Sequence, residues 1–481
     1  MVDDGVFPHQ TRRDAFDGSA QEVNNTLLVT GSLVWDPRLP GLGFDSMAKQ
    51  LFNLFASAAW KNDGFHSFGP VRSLFWVEHD DFKPLIAQSI VALQKANRVL
   101  ELTHNLNVVV AAEHRERPVG RGSLGREPQH ELESVVRALR SGRDQGMELP
   151  AHRRENIHDF AAHVDEASNG TGISSVAFLH NYLREQDMAG KSAVGMLQEG
   201  ILNCYRYERD LVEKNPDLAF NSDWILNNKN KSGQVHVNHP AKNEISVFSR
   251  MRSQFAKIVR TKQEIEKIAD IGEELYLTEC KVLSIEDGPE KDNLLKKTTE
   301  LEEAWKHAMS TTDTHNRQLP PTELDDRIAL RHPPSPRLQW DKRPYEPLIM
   351  RTNEAWPQNR LGLISAEPFP RTADQNPEWH EWVQDFIFGL CSHSTDSVVE
   401  ALDKMQHGMS DIVSKCPSLM DPKKGGRLNL KNLRVRLLTG EMITELLAAY
   451  RDWPFKAPGT DHDKYFRYKS GSFDFSTDNW P

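Results

Sequence analysis

Cysteine is scarce in this chain: four residues in 481, Cys204, Cys280, Cys391 and Cys416, each distant from the next. Four are too few for a disulfide scaffold, and their spacing fits no metal-ligand pattern. Isolated thiols in a reducing compartment are the better reading. Apolar residues make up only 38% of the sequence, and mean hydropathy is −0.60. No apolar run approaches the ~20 residues that a membrane-crossing helix needs, so no membrane partner is expected. A general excess of positive charge is also missing: 59 Lys+Arg stand against 69 Asp+Glu, a formal net charge of −10. That balance excludes a protein that is basic throughout and leaves local basic patches open. Near the N-terminus Asp3, Asp4, Asp14, Asp17 and Glu22 outnumber Arg12 and Arg13. A secretory signal needs an apolar core and a mitochondrial presequence is poor in acids, so this segment reads as neither. Walker A, G-x-S-x-G, H-E-x-x-H and H-R-D patterns are absent too.

What is present begins with alternating strands and helices. Asn25–Leu33 reads as a buried strand, and a loop rich in Pro and Gly follows at Trp35–Phe44. A helix opened by Asp45 or Ser46 carries Met47, Leu51, Phe52 and Phe55 on one face. Val71–Val77 is a second strand. A helix from Asp80 with Phe82, Leu85, Ile86, Ile90 and Leu93 is expected after it, and Asn107–Ala112 is a third strand. This alternation argues for a parallel α/β sheet over 25–150, after a loose segment 1–24. Residues 151–317 read as helical, with apolar positions at helical spacing across Ser246–Ile268. Pro320, Pro321, Pro333, Pro334 and Pro336 mark 318–341 as a linker. A mixed and helical region, 342–470, precedes a loose tail, 471–481. The block Arg343–Arg371 shows no helical period, whereas Glu378–Gln406 and Gly440–Tyr450 do.

Several motifs invite chemistry. Gly120, Gly122 and Gly125 match G-x-G-x-x-G, but HRERP separates the first glycine from its strand. A flexible basic loop is therefore the better reading. His236 and His239 lack further ligands, His462 lies between Asp461 and Asp463 alone, and Asp80–Asp81 reads as a helix cap. The basic cluster Lys423, Lys424, Arg427, Lys431, Arg434 and Arg436 has turn chemistry at Gly425–Gly426. An alternating stretch, LNLKNLRVRL, then places Lys431 off its apolar face. A phosphate-contacting rim and a solvated charge run both fit. A second basic stretch, Arg327 to Arg360, holds Trp340, Tyr345 and Trp356. Aromatics amid basic residues can stack unpaired bases, but the core-anchor reading is favoured here.

The run LLVTGSLVWDPRLPGLGFDSMAKQLFNLFASAAW, followed by FGPVRSLFWVEHDDFKPLIA, resembles the second half of an rRNA adenine N6-dimethyltransferase domain. In that family a strand ends in N-L-P-Y or N-I-P-Y. Gly31, Ser32, Leu33, Val34 and Trp35 fall on this motif, with Ser32 in place of the amide and Val34 in place of the proline. KRPYEPL, EAWPQNRLGLISAEPFP, PSLMDPKKGGRL and YRDWPFKAPGTDHDKYF resemble segments of the fungal mitochondrial transcription factor B branch. The resemblance spans nearly all of residues 20–470. It implies an α/β fold: a partial Rossmann-like methyltransferase domain holding the second half of a parallel sheet, followed by a mainly helical C-terminal region. No E-x-G-x-G turn is present, and the residues before Asn25 leave no room for three further strands. The chain therefore reads as N-terminally truncated, with an open sheet edge exposed.

By the same resemblance the protein is expected in the mitochondrion, with mitochondrial RNA polymerase and promoter DNA or rRNA as partners. Its implied work is transcription initiation by promoter recognition and melting on a degenerate methyltransferase scaffold, leaning away from an enzyme. No cofactor is expected for this chain, and no confident catalytic residue is assigned. One alternative is an S-adenosylmethionine-dependent rRNA adenine N6-dimethyltransferase; another is a non-catalytic rRNA-binding protein. A serine hydroxyl reaches a target amine less well than an amide, which favours the non-catalytic reading.

Overall fold

The computed structural model describes residues 7–14, 16–18, 22–34, 47–79, 85–113, 126–193, 196–197, 199–218, 239–334, 336–371, 375 and 377–455. The strands are β1 (Asn24–Ser32), β2 (Val71–Glu78), β3 (His104–Ala112), β4 (Leu348–Met350) and β5 (Leu361–Pro368). Among them lie α1 (Met47–Lys61), α2 (Lys95–Thr103), α3 (Pro128–Asp144), α4 (Asn156–Ala167), α5 (Val176–Met188) and α6 (Glu199–Lys214). Next come α7 (Lys242–Ser284), α8 (Pro289–Thr311), α9 (Leu319–Arg331), α10 (Pro377–Cys391), α11 (Val398–Met405) and α12 (Gly440–Arg451).

The five strands form one sheet in the order β1-β2-β5-β3-β4. β1 runs parallel to β2, with Gly31 opposite Phe75, and β3 runs parallel to β4, with Ala111 opposite Ile349. Between these pairs β5 is antiparallel to both neighbours, its Ile364 facing Phe75 on β2 and Val108 on β3. The expected α/β class holds, but the expected parallel run of three consecutive strands is corrected to a mixed sheet. The strand that joins its halves comes from the block in which sequence showed no period. The inward residues of β5 are Gly362, Ile364, Ala366 and Pro368, and three of those four are too small or too irregular to read as an apolar stripe. β1 pairs on one side only among the described residues. Leu28 on it is 54% exposed and only Asn24 of the strand is buried, so the strand expected to be buried at Asn25–Leu33 is corrected to an exposed edge strand.

A second correction concerns the helix expected from Asp80. Residues 80–84 lie outside the described set, and 85–94 form turns and bends. Leu85, Ile86 and Ile90 are buried nonetheless. Pro84 stands inside the expected helix, where it lacks an N–H to donate. The helix starts instead at Lys95, where the Gln94 and Asn97 side chains close a capping box.

Three apolar cores result. Phe52, Phe75, Leu106, Val108 and Ile364 fill the space between the sheet and α1. Leu132, Phe160, Leu183, Tyr205 and Phe248 unite α3–α6 with the first half of α7. Trp60, Ile328, Phe386, Leu402 and Leu446 join α9–α12 to α1. The Pro-rich linker of residues 318–341 is thus corrected to a central helix. Pro320 and Pro321 occupy the first turn of α9, where a missing N–H costs little, and everything from Glu323 to Leu330 is buried. Its charges looked solvated because their partners lie far away in sequence. Glu323 contacts His130, Asp325 holds Arg434 and Arg436, and Arg327 reaches Asp270 and Glu273.

Candidate functional site

Two places collect the residues singled out by sequence. The first is the carboxyl end of the parallel strands, the end at which open α/β sheets bind ligands. Ser32 closes β1 there and is exposed. Leu33 N–H still donates to Trp76 O at 2.8 Å, which continues the ladder one residue past the strand. Ser32 Oγ accepts from the Val34 N–H at 3.4 Å and has no other partner among the described residues. No histidine or carboxylate among the described residues touches it, so none of them activates the hydroxyl as a nucleophile. Trp35 lies outside the described residues, as do Gly120, Gly122, Gly125, Asp80–Asp81, His236 and His462.

The neighbouring strand ends are tied by polar contacts. Asn359 Nδ2 donates to Glu78 Oε1 at 3.1 Å, and Arg360 donates to Glu113 O at 2.9 Å. Thr352 donates from its N–H and its hydroxyl to Glu113 Oε1, at 2.9 and 2.7 Å. Arg153 reaches Ile349 O and the Glu354 carboxylate. From this rim, in the loop between β4 and β5, Trp356 stands 93% exposed. Of the three aromatics in the second basic stretch, Trp340 is buried and Tyr345 half-buried, as core anchors should be. Trp356 departs from that reading, and its Pro357 and Asn359 neighbours were the available signal of a turn that leaves it outside.

The second place is the basic cluster. The alternation after Gly426 led to an expectation of strand-like order. The structure instead forms tight turns at Leu430–Asn432 and Val435–Leu437, joined to Ser397 by one bridge at Arg434. Gly425 adopts φ 89°, a left-handed turn position that favours glycine. Arg427 is buried and grips both oxygens of Glu279, at 2.6 and 3.0 Å, with its guanidinium 5.0 Å from the Tyr276 ring centroid. Burial opposes that charge, but the Glu279 carboxylate outweighs it and holds the guanidinium above its ordinary pKa. Arg436 and Arg434 share Asp325 Oδ2 at 2.6 and 3.1 Å, and Lys424 Nζ pairs with Glu441 at 2.6 Å.

Four of the cluster's six cations therefore have partners within the protein, a correction to reading all of them as phosphate contacts. Guanidinium groups near a core need carboxylates, and α7, α9 and α12 supply the acids. Lys423 and Lys431 stay exposed without a side-chain partner among the described residues. Lys431 and Arg434 border a cavity of about 190 Å³ against Trp305, Pro321, Ser397 and Glu400.

The family models, the curated proteins and the solved structures contain no match to this chain. Its chemistry must therefore be read from its own residues. No group of three His, Cys, Asp or Glu side chains suited to a metal occurs among the described residues. His239 pairs with Asp217 at 2.8 Å, which satisfies half of the H-x-x-H pair. The four cysteines are free, and burial raises each thiol; Cys204 and Cys416 are pushed up to about 12 and Cys391 to about 11. Thiols held protonated in this way are poor nucleophiles. No helix among the described residues is long and apolar enough to cross a membrane.

Sequence reasoning missed a large ionic network in the interior. Arg126 bridges Glu131 and Asp341, and Ser134 donates to Asp341 at 2.6 Å. His130 meets Glu323 at 3.0 Å, and Arg331 holds Glu133. Burial would raise Glu323, but His130 and Arg327 outweigh it and keep the carboxyl at about 2. Asp326, beside them, is pushed up to about 7 by burial. The network joins α3, α7 and α9, and the burial of His130, Glu131, Glu133, Glu323, Arg327 and Asp341 suits a structural role.

Proposed function

We propose that this protein binds nucleic acid without catalysing a reaction on it. In this reading it is a mitochondrial transcription initiation factor that helps the mitochondrial RNA polymerase to recognise and melt promoters, on a degenerate methyltransferase-type scaffold. The observation that carries the reading is the position of the degenerate motif. Ser32 and Leu33 lie at the carboxyl end of β1, at the ligand-binding end of an α/β sheet, with no base or acid among the described residues on the serine hydroxyl. Trp356 projects from the same end of the sheet and offers a face on which an unpaired base can stack. Lys423 and Lys431 offer charge that no carboxylate among the described residues pairs with, suited to phosphate neutralisation.

The test is fluorescence anisotropy with a single strand, a duplex carrying an unpaired bubble and a fully paired duplex of the same sequence, across a KCl series. Tighter binding to the bubble and the single strand than to the paired duplex, with affinity falling as salt rises, is expected. Equal affinity for all three, or no salt dependence, overturns the reading. Calorimetry with S-adenosylmethionine runs alongside, and tight binding would favour an rRNA adenine N6-dimethyltransferase instead. A preference for structured rRNA over promoter DNA would favour a non-catalytic rRNA-binding protein.

A further inference from the structure

A second cavity, of about 180 Å³, opens where α2, the residues that follow α9 and the first turn of α12 meet. Its charged lining is Arg98, Glu101, Arg337 and Lys342, with Phe369 and Thr439 completing the walls. Glu101 is the only acid among the described lining residues, and Arg98 NH1 already holds it at 3.1 Å. Burial raises the Glu101 carboxyl above its usual range, which weakens it further as a counter-charge.

Arg337 is 8% exposed, and no carboxylate lies within ion-pair distance of it among the described residues. One terminal nitrogen donates to Leu437 O at 2.6 Å, the other makes long contacts to Tyr276 Oη and Pro333 O, and Nε meets no acceptor. Lys342 at the rim has no side-chain partner among the described residues. The buried arginines Arg126, Arg184, Arg327 and Arg427 each hold a carboxylate, whereas Arg337 meets only carbonyl and hydroxyl oxygens among the described residues.

A buried cation without a counter-ion is strongly unfavourable, and water cannot supply the missing charge. The amino-terminal end of α12 adds the positive pole of a helix through Thr439 and Gly440. Three cations against one carboxylate leave an excess of two positive charges. A phosphate monoester carries a charge of about −1.5 to −2 at neutral pH. A backbone diester carries one charge, against the two that the lining leaves unbalanced.

From this excess of positive charge and an Arg337 guanidinium without a carboxylate, we infer that the cavity binds a terminal phosphate group. The phosphate belongs either to a small molecule or to the end of a nucleic-acid chain. This inference does not rest on promoter binding, because inorganic phosphate alone tests it.

The experiment is titration calorimetry of the full chain at constant ionic strength. The ligands are inorganic phosphate, adenosine monophosphate, and one oligonucleotide with either a 5′-phosphate or a 5′-hydroxyl end. Saturable phosphate binding is expected, weakened about tenfold by Lys342→Gln, the loss of one charge-assisted hydrogen bond. Arg337→Gln should weaken it at least as much; if that variant fails to fold, the rim substitution Lys342→Gln still decides. Stronger binding of the 5′-phosphorylated oligonucleotide than of its hydroxyl twin assigns the site to a nucleic-acid end. Equal binding of the two, with phosphate and adenosine monophosphate still bound, assigns it to a small molecule. No saturable phosphate binding, or an affinity unchanged in Lys342→Gln, overturns the inference.

Discussion

An indole ring left in water forgoes the burial that makes tryptophan a core residue, and Trp356 forgoes nearly all of it. Trp356→Ala is expected to change stability by less than about 0.5 kcal/mol in urea unfolding. The same change should cost about 1–3 kcal/mol of single-strand affinity by anisotropy, the usual worth of one stacked base. Unchanged affinity would remove this residue from the interface. The basic cluster separates in the opposite way. Arg427→Ala strands Glu279 in the interior and should destabilise the fold by about 3–5 kcal/mol. The double change Lys423→Ala with Lys431→Ala should leave the urea midpoint in place and lower the slope of log affinity against log salt by about 1.5. At this scale the sequence showed which residues were basic but not which were spent. Lys423 and Arg427 look alike in the string PKKGGR; only the glutamate on α7 tells them apart.

Among the elements, α7 and α9 cross where a glycine permits it. A Cβ on Gly272 would sit 2.6 Å from Leu324 Cδ2 and 2.8 Å from Trp305 Cζ3, so the helix would have to move away from both neighbours. Gly272→Ala should cost about 1–3 kcal/mol through overpacking, despite alanine's better helix propensity. A gain in stability would show that Leu324 and Trp305 repack freely. The long helix itself was legible, because Val247, Met251, Phe255, Ile258 and Val259 repeat at helical spacing; the structure extends it to Lys242–Ser284. β1, β2 and β3 were legible from their β-branched and aromatic runs. Two elements were not. β5 hides because its inward positions include Gly362 and Ala366, and α9 hides because its buried face carries charges. Apolar periodicity reports burial only when burial is apolar, and here a central strand and a central helix both break that condition. The candidate site was legible as a motif and a cluster, but Trp356, Arg337 and Lys342 emerge only from packing.

For the molecule as a whole, the buried ionic network makes stability depend on pH in both directions. Asp326 is pushed up to about 7 by burial, while an unfolded aspartate titrates near 3.9. Across that window the native state keeps a proton that the unfolded chain has lost, so stability falls as pH rises and the loss is complete above about 7. Glu323, held at about 2, acts oppositely: its contribution is present above the unfolded value and is lost as pH falls through about 2. His130, raised by Glu323 against the effect of burial, adds stability at acid pH that is lost as pH climbs through its raised pKa. Urea midpoints should therefore be highest in mildly acidic buffer. Asp326→Asn keeps an acceptor for the Ile90 N–H and should flatten the decline between about pH 4.5 and 7, by a few kcal/mol at most. A decline of the same size in the variant would place its origin elsewhere. The order of the sheet has a consequence for synthesis of the chain. β2 and β3 meet only through β5, which is translated roughly 250 residues after β3 ends, a delay of about 10–50 s at ordinary elongation rates. For that interval a nascent chain holds two partly apolar strands with their centre missing, an unpaired gap in the sheet. A ribosome stalled before residue 361 would leave it exposed.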